Sequence, residues 1–175
     1  MKNPVQKLVA AALCLALCLL LPFLTGQIPQ IGSALSPMHI PVLLCGFICG
    51  WPYALVVGFA APLLRHLLFT MPPMMTAIPM AFELATYGLV SGILYALLPK
   101  KVGYIYVSLI GAMLAGRVIW GIVRWAMMVM GFSAFGFQAF LAGAFLTAIP
   151  GIICHIILIP IVVIALKKAK LIFVQ

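Results

Sequence analysis

Residues 40–59 read IPVLLCGFICGWPYALVVGF, without one charged side chain. A stretch apolar on every face belongs inside a large core or a membrane, not on a water-facing surface. Only Gly50-Trp51-Pro52 interrupts it, and that combination marks a tight uncharged turn. The stretch therefore predicts two apolar helices, a short helix 2 over about His39–Cys49 and helix 3 over about Tyr53–Phe69.

The rest of the chain has the same character. Of 175 residues, 67% are hydrophobic and 6% charged, too little polar surface to cover a globule in water. Lipid must be part of the solvent. Helix breakers divide what remains, given that about 20 residues cross the hydrocarbon. Helix 1 is expected over about Val5–Leu24, helix 4 over Ala77–Leu98, helix 5 over Tyr104–Met130, and helix 6 over Phe137–Leu166 with bends at Pro150 and Pro160. Loops are expected on the outer side at about 25–38, 70–76 and 131–136. Lys2 and Lys7 before an apolar run resemble a secretory signal, but the run reaches Leu24 and the chain stays hydrophobic, so it reads as a retained helix.

Glu83 is the single acidic residue against ten Lys and Arg, giving a formal charge of +9. The excess is not a nucleic-acid signature. The seven lysines are confined to three clusters: Lys2 and Lys7; Lys100 and Lys101; Lys167, Lys168 and Lys170. Six crossings place all of them in the cytoplasm, as positive-inside topology requires, whereas five crossings with helix 2 re-entrant would separate the clusters. The expected fold is a single all-α integral membrane domain over 1–175, a six-transmembrane-helix bundle with both termini cytoplasmic.

Four ionisable residues fall within the apolar helices: Arg65, Glu83, Arg117 and Arg124. Facing lipid, each costs several kcal/mol, so they face a cavity or one another. On the six-helix topology all four lie in the outer half of the membrane. Arg117 and Arg124 are two turns apart on one face, Trp120 lies between them, and Tyr87 is one turn from Glu83. Cations, a carboxylate and aromatic faces within apolar walls make a small-molecule site, the alternative being Glu–Arg bridges that only hold helices together. Three arginines against one glutamate point to an anionic ligand, for instance a carboxylate held by an Arg fork, although Arg65 and Arg124 also have the reach to snorkel to headgroups. His39 begins helix 2 and is a candidate cap of the site. His155 reads as a packing residue in the cytoplasmic half of helix 6, and His66 as interfacial.

Small residues recur at four-residue spacing, including Ala12/Ala16, Gly46/Gly50 and Gly88/Gly92, which lets helices approach closely. Ala12 and Ala16 offer a face for a partner helix or for packing within the chain. Cys14/Cys18 and Cys45/Cys49 share this spacing and read as small hydrophobes, with neither a metal site nor a disulfide framework implied. Phosphate loops, paired carboxylates and metalloprotease motifs are missing, so no enzyme, resident cofactor or ATPase is expected in the chain. A carboxylate relay for ions is difficult with one Glu. Active transport therefore calls for a separate energising subunit.

The size, the six-helix plan, the alanine-rich first helix, and Leu35–Gly46 (LSPMHIPVLLCG) followed by Gly50-Trp51-Pro52 resemble the substrate-binding S component of energy-coupling-factor (ECF) vitamin transporters, over essentially the whole chain. The resemblance implies a plasma-membrane protein of a prokaryote that binds a vitamin or precursor in a pocket opening outward beneath the helix 1–2 and 3–4 loops, with contacts from helices 4, 5 and 6. It also implies docking of Ala12 and Ala16 against a transmembrane coupling subunit driven by two ATPases, which carry the ATP and magnesium. Pantothenate leads among carboxylated cargoes; pyridoxine-like, thiamin-precursor and queuosine-precursor ligands stay open. The rivals are a stand-alone secondary transporter and a membrane assembly protein with structural Arg–Glu pairs.

Overall fold

A computed structural model describes residues 4–24, 36–132, 136, 142–143 and 148–173. Six α-helices occupy them: α1 (Pro4–Leu24), α2 (His39–Cys49), α3 (Trp51–Phe69), α4 (Met74–Leu97), α5 (Val102–Val129) and α6 (Ile149–Lys168). No strand occurs among the described residues. All helices except α2 are long and apolar enough to cross a membrane. At 11 residues α2 extends about 16 Å, half the hydrocarbon thickness. The 28 residues of α5 extend about 42 Å, so that helix tilts or projects.

The decisive stretch is the centre of the bundle. α2 packs against α1, α3, α4 and α6, and His39, Pro41, Val42, Leu43, Cys45, Gly46, Phe47 and Cys49 are all buried. A helix enclosed on every side has no use for a polar face, which is why its sequence shows none. Gly50 alone separates α2 from α3, at φ 94°, a conformation that a Cβ disfavours. Trp51-Pro52 then opens α3, two residues earlier than the sequence suggests. Proline is at home there because first-turn amides have no helical partner.

Glycines bring α4 against its neighbours. A Cβ on Gly88 would stand 2.5 Å from the Ala54 carbonyl oxygen, one on Gly92 2.5 Å from the Trp51 nitrogen, and one on Gly46 2.1 Å from Ser91 Oγ. Gly46, Gly88 and Gly92 therefore bring α2, α3 and α4 into close approach.

One end of the bundle collects the lysines. Lys7 shares a hollow of about 270 Å³ with Gly50, Trp51, Gly92 and Ala96. Lys167 Nζ donates to the Lys100 carbonyl at 2.6 Å, and Lys100 Nζ donates to the Tyr95 carbonyl while lying 4.1 Å from the Tyr95 ring centroid. Burial, with Lys167 nearby, holds the Lys100 ammonium below its ordinary pKa. After α6 the chain turns through Lys170 (φ 57°), buries Ile172, and donates the Phe173 amide to the Ile48 carbonyl at 2.8 Å. That bond satisfies a carbonyl which the end of α2 leaves open.

Two expectations change. Helix 6 was expected from Phe137, but α6 as described starts at Ile149, and Pro150 lies in its first turn, opening the helix instead of bending it; Pro160 lies inside. The start of the expected helix and half of the 131–136 loop lie outside the described residues, as do Lys2 and most of the 25–38 loop. The α3–α4 link is 70–73, shorter than expected, with Thr70 closing α3 in the left-handed region.

Candidate functional site

Glu83 and Tyr87 are one helical turn apart on α4, so their side chains share a face. Tyr87 donates its hydroxyl to Glu83 Oε1 at 3.0 Å. Arg117 Nη1, from α5, meets the same oxygen at 3.0 Å. His39 Nε2, from the first residue of α2, is 3.6 Å from it. Glu83 and His39 are each 2% exposed, so the carboxylate is stabilised by these groups and not by water. A buried pair of this kind resists losing either partner, because the survivor keeps an uncompensated charge.

Gly116 makes the arrangement possible. A Cβ there would come within 1.9 Å of the Tyr87 ring and 3.1 Å of the Glu83 carbonyl. Lacking one, α5 closes on α4 and delivers the next residue, Arg117, to Glu83. The neighbour that occupies the space beside Gly116 is an aromatic ring.

His155 completes the cluster. Its ring stacks on His39 with centroids 6.0 Å apart and planes 20° apart, and His39 meets Tyr87 edge-on at 5.2 Å. Reading His155 as cytoplasmic packing depended on starting helix 6 at Phe137. Six residues after Ile149 it lies about 9 Å into the described helix, against α2. The available signal was the residue type: a histidine in an otherwise apolar run.

The other arginines are placed differently. Arg124 lies about 10 Å along α5 from Arg117, its guanidinium 5.9 Å from the Trp120 ring centroid. Trp120 in turn fills the space that a Cβ on Gly143 would need, at 2.8 Å. Arg65 contacts none of these residues among its described interactions. It is 3% exposed, donates to the Leu19 carbonyl near the end of α1, and lies 4.8 Å from the Phe23 ring centroid and 5.5 Å from that of Phe69. A cation there complements the negative end of α1. Arg65 thus holds α1 to α3. His66 Nδ1 donates to the Pro72 carbonyl, 2.8 Å away, across the α3–α4 link.

On α1, Ala11, Cys14 and Cys18 are buried in the bundle, whereas Ala12 and Ala16 are exposed beside Leu8, Leu13 and Leu20. The small-residue pair faces away from the other described helices. The four cysteines of α1 and α2 are buried free thiols, and no group of three or more His, Cys, Asp or Glu suited to a metal ion occurs among the described residues.

A family model described as "ECF transporter, substrate-specific component" matches residues 6–163. The chain belongs to this family. It is accordingly a multi-helical membrane protein and a substrate-binding subunit of an ECF transporter, working with the coupling and ATPase partners that such a transporter implies. The S component matches no curated protein and no solved structure.

Proposed function

We propose that this S component captures a vitamin or related small molecule at the Glu83–Arg117–His39–Tyr87 cluster on the outer side of a prokaryotic plasma membrane, and passes it inward when α1 docks on the coupling subunit driven by two ATPases. The observation that carries the reading is a charged, hydrogen-bonded constellation assembled from three helices inside an apolar bundle. Helix packing needs no such group, and ionisable residues at membrane depth are costly unless they serve a pathway or ligand.

The proposed topology is six crossings with cytoplasmic ends. It is supported by the gathering of Lys7, Lys100 and Lys167 with the α2–α3 turn at one end of the bundle. Glu83 lies 14 residues before the end of α4, about 21 Å from that end, which fits a site reached from outside. The outward-facing Ala12 and Ala16 support docking, since close approach of a partner helix needs small side chains on the free face.

Glu83 is one carboxylate against Arg117 and Arg124 on α5, so the formal charge of this region is positive. A carboxylate at the Arg124 end, beside Trp120, is the proposed arrangement, and pantothenate is the first ligand to try. Native mass spectrometry and calorimetry on the purified chain, with a panel of water-soluble vitamins and precursors, should find one carboxylated compound bound by wild type and weakened at least tenfold in Arg117→Gln. Uptake by the chain alone in liposomes under an ion gradient would instead establish a stand-alone secondary transporter. Loss of stability in Arg117→Gln with no ligand bound by wild type across the panel would establish a purely structural pair.

A further inference from the structure

Burying a histidine without giving its nitrogens partners is unfavourable, because each group left open has lost its hydrogen bonds to water. Here two histidines do this side by side. His39 and His155 are each 2% exposed, and neither ring nitrogen of either residue makes a hydrogen bond among the described residues; Arg117 Nε is likewise buried and unbonded. Glu83 Oε1 stands 3.6 Å from His39 Nε2, and the Ser36 backbone is a polar neighbour of His155. Since the rings stack at 6.0 Å, these open positions are clustered, next to a carboxylate whose charge Arg117 already balances.

We propose that His39 and His155 recognise an uncharged polar head of the ligand, one that both donates and accepts hydrogen bonds, such as a hydroxyl, amide or amino-heterocyclic group. This rests on the binding reading above and adds the chemistry of the second end of the ligand. In its uncharged form each imidazole offers one donor and one acceptor, and Arg117 Nε adds a donor. A carboxylate or an alkyl chain cannot match that set, because the first only accepts and the second does neither. A carboxylate is instead directed to Arg124, about 10 Å along α5. The ligand is then two-ended, with a neutral head at the histidine pair and an anion toward Trp120 and Arg124. His155 thereby becomes a specificity-determining residue.

The test uses the purified full chain, with calorimetry against pantothenate, panthenol (the same head without the carboxylate), pyridoxine, nicotinate and hexanoate. The proposal expects at least one hydroxyl-, amide- or heterocycle-bearing probe to bind, and to bind about tenfold or more weakly in both His39→Phe and His155→Phe. His155→Gln, which keeps a donor and an acceptor, should retain affinity within about threefold. Thermal unfolding of the ligand-free chain separates this from a packing role. For His155→Phe, which removes no neighbour of Glu83, the midpoint should stay unchanged or rise, whereas a structural histidine there would lower it. Binding left within twofold by both Phe variants, or binding of hexanoate alone, overturns this proposal while leaving the site reading intact. No binding by any probe overturns both.

Discussion

Arg65 and Arg117 both interrupt apolar helices, and both are removed from water, yet their surroundings have nothing in common. Around Arg65 the α1–α3 junction supplies a main-chain carbonyl and two aromatic faces. Around Arg117 the α4–α5 junction supplies a carboxylate already engaged by a tyrosine and close to a histidine. The first environment satisfies a cation with groups that every helical protein owns. The second adds the one acidic residue of the chain and leaves ring nitrogens open beside it. A buried charge is thus a pointer to function only when its partners exceed what packing requires.

Removing Glu83 should break that contrast most severely. Glu83→Ala strands Arg117 in a low-dielectric site, and a loss of about 3–5 kcal/mol of stability is expected from unfolding in detergent, together with loss of ligand binding. Stability unchanged within about 1 kcal/mol would show that the pair is not the buried anchor described here. Gly116→Ala comes next. Its methyl overlaps the Tyr87 ring, so about 1–3 kcal/mol of overpacking is expected, and ligand affinity should fall because Tyr87 and Arg117 can no longer meet Glu83 together.

Arg65→Leu sharpens the comparison from the other side. It should lower stability by about 1–2 kcal/mol through loss of a charge-assisted hydrogen bond and cation–π contacts, with ligand affinity kept within twofold. A tenfold loss of affinity would return Arg65 to the site. The smallest effect is expected of Tyr87→Phe, which deletes one hydrogen bond to Glu83 and should cost about 1 kcal/mol, measured in a double-mutant cycle with Glu83→Gln.

Much of this was legible beforehand. Glu83 and Arg117 were marked by residue type, since a charged group in a lipid-length apolar run is anomalous wherever it packs; Tyr87 was marked by its one-turn spacing from Glu83, and His39 by its place at the start of helix 2. The glycine spacings of α2 and α4 foretold close approach for the same local reason. The position of His155 against His39 was not legible, because it depends on how α6 packs on α2, and linear spacing does not carry that. Arg65 was grouped with the other arginines because helix depth places two residues at one height without saying which helices stand between them.

The sequence by itself determined that the chain lives in lipid, that its helices are broken at Gly50 and Pro99, and that its lysines cluster. Composition, turn chemistry and charge partition are properties of the chain's own residues, so they need no knowledge of neighbours. Only the tertiary structure decided that Arg117 and not Arg65 meets Glu83, that Ala12 and Ala16 face outward, and that His39 and His155 stack. Those are distances between residues far apart in the chain, fixed by how closely glycines let α2, α4 and α5 approach, and linear spacing carries no information about them.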